Sequence, residues 1–153
     1  MIKHKKNNKY WMKFALLFAK VAFLKGEVPV GSLLVKSNKI IGFGWNNSIS
    51  NNDPTGHSEI ITLRKSGKFI RNYRLLDASL YVTLEPCIMC LGAILNSRIK
   101  NLIIGTKKKN VTNILYKNKY ILNSKKFKIK VVNNVLKKEC SNLLNKFFFN
   151  KRK

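Results

Sequence analysis

Three observations predict that this chain folds as a layered α/β domain. Segments with helical spacing of apolar residues alternate with short β-rich runs. The chain has 153 residues, the size of one ordinary domain. Apolar residues make up 45% of it, enough for a buried core. We therefore expect residues 1–153 to form a single domain, with mobile ends at residues 1–8 and 150–153.

The first half of the sequence predicts helix, hairpin, loop and helix. Asn7 or Asn8 can cap the first helix and Gly26 can end it. Ser37-Asn38 is a short polar turn between two β-rich runs, which is typical of a hairpin. The predicted elements are a helix at Tyr10–Lys25, strands at Val30–Lys36 and Lys39–Trp45, a loop at Asn46–Gly56 and a helix at His57–Ser66.

The second half predicts three more strands and two more helices. The predicted elements are a strand at Ser79–Thr83, a helix at Cys87–Asn96, strands at Asn101–Gly105 and Lys128–Val132, and a helix at Val135–Phe149. Thr106–Phe127 is polar and basic, and its pattern predicts no element. The last helix is amphipathic, and we expect at least two of Phe147, Phe148 and Phe149 to pack in the core.

The charge is strongly positive, with 31 Lys and Arg against 6 Asp and Glu and a formal net charge of +25. Such an excess favours a polyanionic partner, either nucleic acid or an anionic membrane surface. Drift toward AT-rich codons would also raise the lysine content, so both explanations stay open. Phe14–Leu24 is too short to span a bilayer and contains Lys20, so we expect a cytoplasmic protein without a membrane partner.

Two short motifs carry the chemistry: His57-Ser58-Glu59 and Pro86-Cys87-Ile88-Met89-Cys90. Cysteines three residues apart on a helix project from one face. Pro86 fits the first position of that helix. The exposed N–H groups of the first turn favour thiolates, the form that binds zinc. The three cysteines of the chain are an odd number, which argues against a disulfide framework.

His57 can supply a third zinc ligand. Three protein ligands leave one open position, the pattern of catalytic rather than structural zinc, where the pKa of bound water falls toward neutrality. Glu59, two residues from His57, can take a proton from that water and deliver it to a substrate. By itself a Cys-x-x-Cys motif also fits a redox site or half of a zinc ribbon. The redox interpretation leaves His57 and Glu59 unexplained, and Cys140 alone does not complete a ribbon.

The combination H-x-E and P-C-x-x-C resembles the known signature of zinc-dependent nucleobase deaminases. From about Tyr10 to Gly105, and more weakly through the last helix, the chain resembles bacterial tRNA-specific adenosine deaminases. The segments that carry this resemblance are Glu27-Val28-Pro29-Val30-Gly31, Gly44-Trp45-Asn46, Asp53-Pro54-Thr55, Asn72-Tyr73-Arg74-Leu75, Leu80-Tyr81-Val82-Thr83-Leu84-Glu85-Pro86-Cys87 and Ser97-Arg98-Ile99.

The resemblance implies a three-layer α/β/α sandwich of the cytidine-deaminase type around a five-stranded mixed sheet. It implies a homodimer that converts the wobble adenosine to inosine in the anticodon loop of an arginine tRNA. One Zn²⁺ per subunit would be bound by His57, Cys87 and Cys90, and Glu59 would shuttle protons. In the substrate site, Asn46 would hydrogen-bond the flipped-out base, Val30 and Leu84 would line its pocket and Phe148 would stack on an anticodon-loop base.

The chain departs from the family pattern at two places. Gly56 stands where the family usually has alanine, and Thr106–Asn113 carries Lys107, Lys108 and Lys109 where the family carries an acidic residue and a glycine turn. The family's RNA contact at that loop therefore does not carry over, which leaves the choice between RNA and DNA open. The rival functions are a deaminase of free cytosine, guanine or nucleotides, a non-catalytic zinc-containing RNA-binding protein, and a slow, degraded enzyme.

Overall fold

The computed structural model describes residues 6–107 and 128–152. Within these ranges a five-stranded mixed sheet has the order β2-β1-β3-β4-β5. The helices are α1 (Asn8–Leu24), α2 (Ser58–Ile70), α3 (Ile88–Asn96) and α4 (Lys137–Lys151); the strands are β1 (Gly31–Lys36), β2 (Lys39–Trp45), β3 (Ser79–Leu84), β4 (Asn101–Thr106) and β5 (Lys130–Val132). Strand β1 pairs antiparallel with β2 and β3, whereas β3, β4 and β5 run parallel. The predicted fold class is confirmed.

The two faces of the sheet carry separate layers because side chains alternate along each strand. On one face, Leu33, Tyr81 and Ile103 pack against the buried side of α1. On the other face, Leu34, Val82 and their neighbours pack with residues of α2 and α3. The sheet is thus covered by helices on both sides.

The hairpin has the predicted two-residue turn. Ser37 and Asn38 have φ angles of 49° and 60°, the left-handed values of a type I′ turn. Strand β2 also lies close under α2. A Cβ at Gly44 would come within 2.8 Å of Ile61, so the absence of a side chain permits this contact.

Several helix ends differ from the sequence prediction. Helix α1 begins at Asn8, and the side chain of Asn7 accepts a hydrogen bond from the N–H of Tyr10, as predicted for a cap. Helix α2 continues past Ser66 and ends at Ile70, and the cap residue Arg71 has a φ of 54°. Helix α4 starts only after Leu136, whose φ of 53° takes it out of the helix. Left-handed backbone conformations at Arg71 and Leu136, which the apolar periodicity does not report, mark these two ends.

Residues 108–127 lie outside the described residues, so the lysine-rich loop beyond Lys107 is not characterised. The ends 1–5 and 153 are outside them as well, and the predicted mobility of the termini stays a prediction. In the described part of the chain, no helix is both long and apolar enough to cross a bilayer.

Candidate metal and active site

Helices α2 and α3 both begin with a candidate metal ligand. His57 is the N-cap of α2 and Cys87 is the N-cap of α3, and neither side chain caps its own helix. Cys90 is the third residue of α3. Pro86 lies before the cap rather than at the predicted first helical position, because Cys87 keeps the extended backbone that follows β3 (ψ 173°). All three candidate ligands thus lie at or within the first turn of a helix.

The three candidate ligand atoms lie close together. Nδ1 of His57 is 3.5 Å from Sγ of Cys87 and 3.5 Å from Sγ of Cys90. All three atoms lie within 4.8 Å of one another. In a tetrahedral zinc site with bonds of about 2.3 Å to sulfur and 2.0 Å to nitrogen, the N–S edge is about 3.5 Å. The three atoms are positioned to bind a metal ion, and their spacing fits zinc.

The two sulfurs are electrostatically unequal without a metal. A hydrogen bond from the Cys90 thiol, helped by the Cys90 backbone N–H and by His57, lowers the pKa of Cys87 to about 5. The same bond, burial and the neighbouring Glu59 raise the pKa of Cys90. The thiolate predicted at Cys87 is therefore favoured, whereas the raised pKa of Cys90 favours the thiol there, contrary to the prediction of thiolates at both positions.

Glu59 is the buried acid of this cluster, with 3% of its surface exposed. It is the second residue of α2, and the Ser58 hydroxyl donates to its Oε2 over 2.9 Å. Burial raises the pKa of Glu59, against the opposing effects of its own N–H, the Ser58 hydroxyl and His57. A carboxyl group with a raised pKa beside a metal site is suited to taking up and returning a proton.

Asn46 lies directly after β2 and is held against the start of α2. Its Oδ1 accepts a hydrogen bond of 2.9 Å from the N–H of Ser58, and its own N–H donates to the carbonyl of Val30 over 3.1 Å. The side-chain oxygen is thus bound to the protein, which leaves the amide NH₂ as the group that can donate to a base. Val30 and Leu84 are buried, 5% and 7% exposed, within the main core cluster. Their contact with a base stays a prediction.

Known proteins with similar sequences are deaminases. The sequence model of the MafB19-like deaminases matches residues 6–152. A tRNA-specific adenosine deaminase of Buchnera aphidicola subsp. Baizongia pistaciae is 54% identical over 96% of this chain and 91% of its own length. That of Haemophilus influenzae is 47% identical, over 92% of this chain and 83% of its own length.

The chain belongs to the MafB19-like deaminase family. A solved structure from work on A-to-I editing by tRNA:A34 deaminases matches this deaminase with a TM-score of 0.81 at 30% identity, covering 90% of this chain and 100% of that one. A guanine deaminase from Nitrosomonas europaea has the same TM-score at 17% identity, covering 94% and 85%, and shares the fold. The predicted family resemblance and the enzyme class are confirmed.

The phenylalanines of α4 separate into one buried ring and two exposed rings. Phe147 is 7% exposed and meets Phe23 of α1 edge to face, at 5.9 Å between ring centroids. Phe148 and Phe149 are 46% and 62% exposed. The expectation that at least two of these rings pack in the core is therefore wrong. Cys140, Leu144 and Phe147 share the buried face of α4, and the next two positions turn away from it.

A buried carboxylate that the sequence pattern does not reveal holds the loop at Ile49 and Ser50 of this deaminase. Glu27, 2% exposed, accepts bonds from the N–H of Ile49 (3.2 Å) and from the N–H and hydroxyl of Ser50 (2.7 and 2.8 Å). Burial alone would raise the pKa of Glu27, but these three bonds lower it. The signal was available, since only six acids occur in the chain. The partners lie 22 and 23 positions from Glu27 in the sequence, so local patterns do not reveal the contact.

The far end of the same loop is also fixed locally. Oδ1 of Asp53 accepts from both the N–H and the hydroxyl of Thr55, at 2.8 Å each, which fixes a turn at this end of the loop. Next to His57, a Cβ at Gly56 would come within 2.7 Å of Oδ1 of Asn47. Asn47 also donates its backbone N–H to the carbonyl of Gly56. Glycine thus makes room for the Asn47 side chain.

Proposed function

We propose that this deaminase hydrolyses the wobble adenosine of an arginine tRNA to inosine, in the anticodon loop, releasing ammonia. The supporting observation is a histidine nitrogen equidistant from two sulfurs, with a buried carboxyl group two residues further along α2. Relatives that match over nearly the whole chain are named tRNA-specific adenosine deaminases. The excess of 31 basic over 6 acidic residues suits a polyanionic substrate.

One Zn²⁺ per subunit would be held by His57, Cys87 and Cys90. When bound there, it would supply the Lewis acid that makes water a nucleophile near neutral pH. The chain's contribution is to fix two sulfurs and one imidazole on two helix starts, so that three protein ligands leave a position for water. In the described residues, the candidate cluster contains these three ligands.

Glu59 is the proton carrier in this proposal. It removes a proton from the attacking water and delivers it to the ring nitrogen, and then moves the proton of the added hydroxyl to the departing amine, so that water and adenosine give inosine and ammonia. The buried position favours the protonated form after the first transfer, because an ionised carboxylate is poorly solvated there. The Ser58 hydroxyl holds the carboxyl group on the side of Oε2.

The substrate contacts are assigned to four residues. The amide NH₂ of Asn46 donates to a purine ring nitrogen, while its oxygen remains on the N–H of Ser58. Val30 and Leu84 form the apolar wall of the base pocket. Phe148, half exposed on α4, stacks on an unpaired base of the anticodon loop. We also propose that the deaminase acts as a homodimer in the cytoplasm.

The decisive experiment measures inosine in an anticodon stem-loop with adenosine at the wobble position. Purified, zinc-loaded protein is compared on this RNA, on the same stem-loop as DNA, and on free adenosine, cytidine and guanine. We expect inosine from the RNA and no ammonia from the free compounds. Ammonia from free bases or nucleosides alone would contradict the proposal and assign the chain to the small-molecule deaminases.

A further inference from the structure

Strand β2 carries a cluster of aromatic rings outside the site described above. Phe43 stacks on Phe18 of α1, at 4.5 Å between ring centroids and 7° between planes. Trp45 lies 6.5 Å from Phe43 at 25° and 6.3 Å from Phe18 at 21°. Phe43 is 38% exposed although it is a large apolar side chain. The three rings are nearly parallel, on a strand at the edge of the sheet.

A lysine from α2 completes this cluster. Nζ of Lys65 lies over both rings of β2, 4.8 Å from the centroid of Phe43 and 5.5 Å from that of Trp45. Phe18 already covers one face of Phe43, so the ammonium is the group over the remaining face. Lys65 itself is exposed. We call Phe18, Phe43, Trp45 and Lys65 the edge platform.

The edge platform lies next to the proposed base pocket. Trp45 pairs with Gly31 across the sheet, and Asn46 follows it directly. Side chains alternate along β2, so Gly44 meets α2 while Phe43 and Trp45 face α1. Lys65 must reach around β2 from the α2 side. A strand of RNA that leaves the pocket across this edge would meet the platform.

We propose that the edge platform stacks an unpaired nucleotide of the RNA substrate, outside the adenosine that is deaminated. This inference rests on the proposed function for its substrate class. Parallel, partly exposed rings beside a cation are the arrangement with which proteins bind single-stranded nucleic acids. The charge excess of the chain favours the same occupant.

Replacement of the Lys65 ammonium by a base on the Phe43 ring makes RNA binding favourable. An exposed ammonium over a ring is a weak contact, and stacking by a base on the same face is stronger. A base that displaces Nζ of Lys65 leaves that ammonium free to pair with the phosphate of the stacked nucleotide. The Lys65 ammonium thus contacts the ring in the free protein and the phosphate in the complex.

The first test uses Trp45 as a reporter. The chain has two tryptophans, and Trp11 is only 5% exposed, so a Trp11→Phe background leaves Trp45 as the single tryptophan. The wobble-adenosine stem-loop is titrated in, followed by stem-loops with one abasic position moved through the loop. We expect the stem-loop to quench Trp45, and one abasic position to abolish the quenching.

The second test compares variants with matched controls. Because base stacking is lost, Phe43→Leu should raise the KM for the stem-loop about five- to tenfold and change kcat less than about twofold. Phe43→Tyr should restore the KM. Lys65→Gln should raise the KM about two- to threefold and weaken its dependence on salt. Phe69→Leu and Lys68→Gln, exposed on the same helix as Lys65, should match the wild type.

The outcomes separate the two proposals. Normal inosine formation, with Trp45 unquenched and the KM of Phe43→Leu unchanged, would overturn the edge platform alone. Quenching of Trp45 by RNA that yields no inosine would overturn the proposed reaction and retain the platform. Absence of both would overturn both. If Phe43→Leu changes sedimentation but not RNA binding, the face contacts a second copy of the chain, and the platform proposal is also wrong.

Discussion

Glu27 and Glu59 are two buried glutamates with opposite electrostatics. Both are at most 3% exposed in a chain with 31 cationic residues, and neither forms an ion pair of 4 Å or less in the part of the chain that the structure describes. Glu27 accepts three hydrogen bonds from the loop that it holds. Glu59 accepts a bond from the Ser58 hydroxyl and one from its own N–H. The pKa of Glu27 is lowered, whereas burial raises the pKa of Glu59.

The difference shows that the balance between burial and hydrogen-bond donors, rather than net charge, decides the pKa of a buried carboxyl group. Three donors replace the water that Glu27 lost and keep it an anion. At Glu59 burial outweighs the hydrogen bonds that it accepts, so its charge can change during a reaction. One glutamate therefore fixes structure, while the other is suited to moving protons.

The largest expected effect concerns the proton-carrier role of Glu59. Glu59→Gln keeps the shape of the side chain but cannot exchange the proton, so kcat for inosine formation should fall by about 10²- to 10⁴-fold. Bound zinc, measured by elemental analysis, should stay at one per chain. Glu139→Gln, an exposed acid on α4, is the control and should keep the wild-type rate. A Glu59→Gln enzyme of full activity would disprove the proton-carrier role.

The next effect concerns the contribution of Glu27 to stability. Glu27→Gln removes the negative charge that three donors surround, and should lower the free energy of unfolding by about 1.5–3 kcal/mol. Urea unfolding followed by circular dichroism measures this loss. Loosening of the loop should also raise the KM for the stem-loop. If Glu27→Gln is as stable as Glu139→Gln, the three bonds do not stabilise the loop as inferred.

The pH dependence of stability tests whether the pKa of Glu27 is lowered in the folded protein. The folded-state pKa of Glu27 is lower than its unfolded value of about 4.3, so the unfolded chain takes up the proton first as the pH falls. The contribution of Glu27 is therefore fully present above about pH 5 and is lost as the pH falls through 4.3 toward the folded-state pKa. The difference in unfolding free energy between wild type and Glu27→Gln, measured from pH 6 to pH 3, should shrink accordingly. A constant difference would exclude a lowered pKa.

The smallest expected effect concerns the hydroxyl that donates to Glu59. Ser58→Ala removes the hydroxyl that holds Oε2, and should lower kcat about two- to tenfold with the KM unchanged. Ser66→Ala is the matched control, since Ser66 is also fully buried on α2 but donates to the carbonyl of Thr62. A kcat that is equal in the two variants would show that Ser58 does not position the carboxyl group.

Local sequence patterns predicted the elements that carry the site. The turn at Ser37-Asn38, the cap at Asn7 and the helix starts near His57 and Cys87 each depend on a few adjacent residues, so spacing alone identifies them. The spacing of the two motifs also identified the three residues that meet within 4.8 Å.

Long-range contacts could not be read from the sequence. The bond from Ser50 to Glu27, the hold of Asn46 on Ser58 and the sheet order depend on how distant segments pack. The exposure of Phe148 had the same origin, because periodicity places it at the edge of the apolar stripe and only packing shows which side of that edge is covered.

The absence of a side chain at Gly56 makes positions 47 and 56 of the loop depend on each other. A methyl group there would displace the Asn47 side chain from a space that the two residues share. Where a related chain has alanine at this position, the residue that corresponds to Asn47 must be directed elsewhere or be replaced. Positions 47 and 56 are therefore expected to covary, and a replacement at one would be tolerated or harmful according to the other.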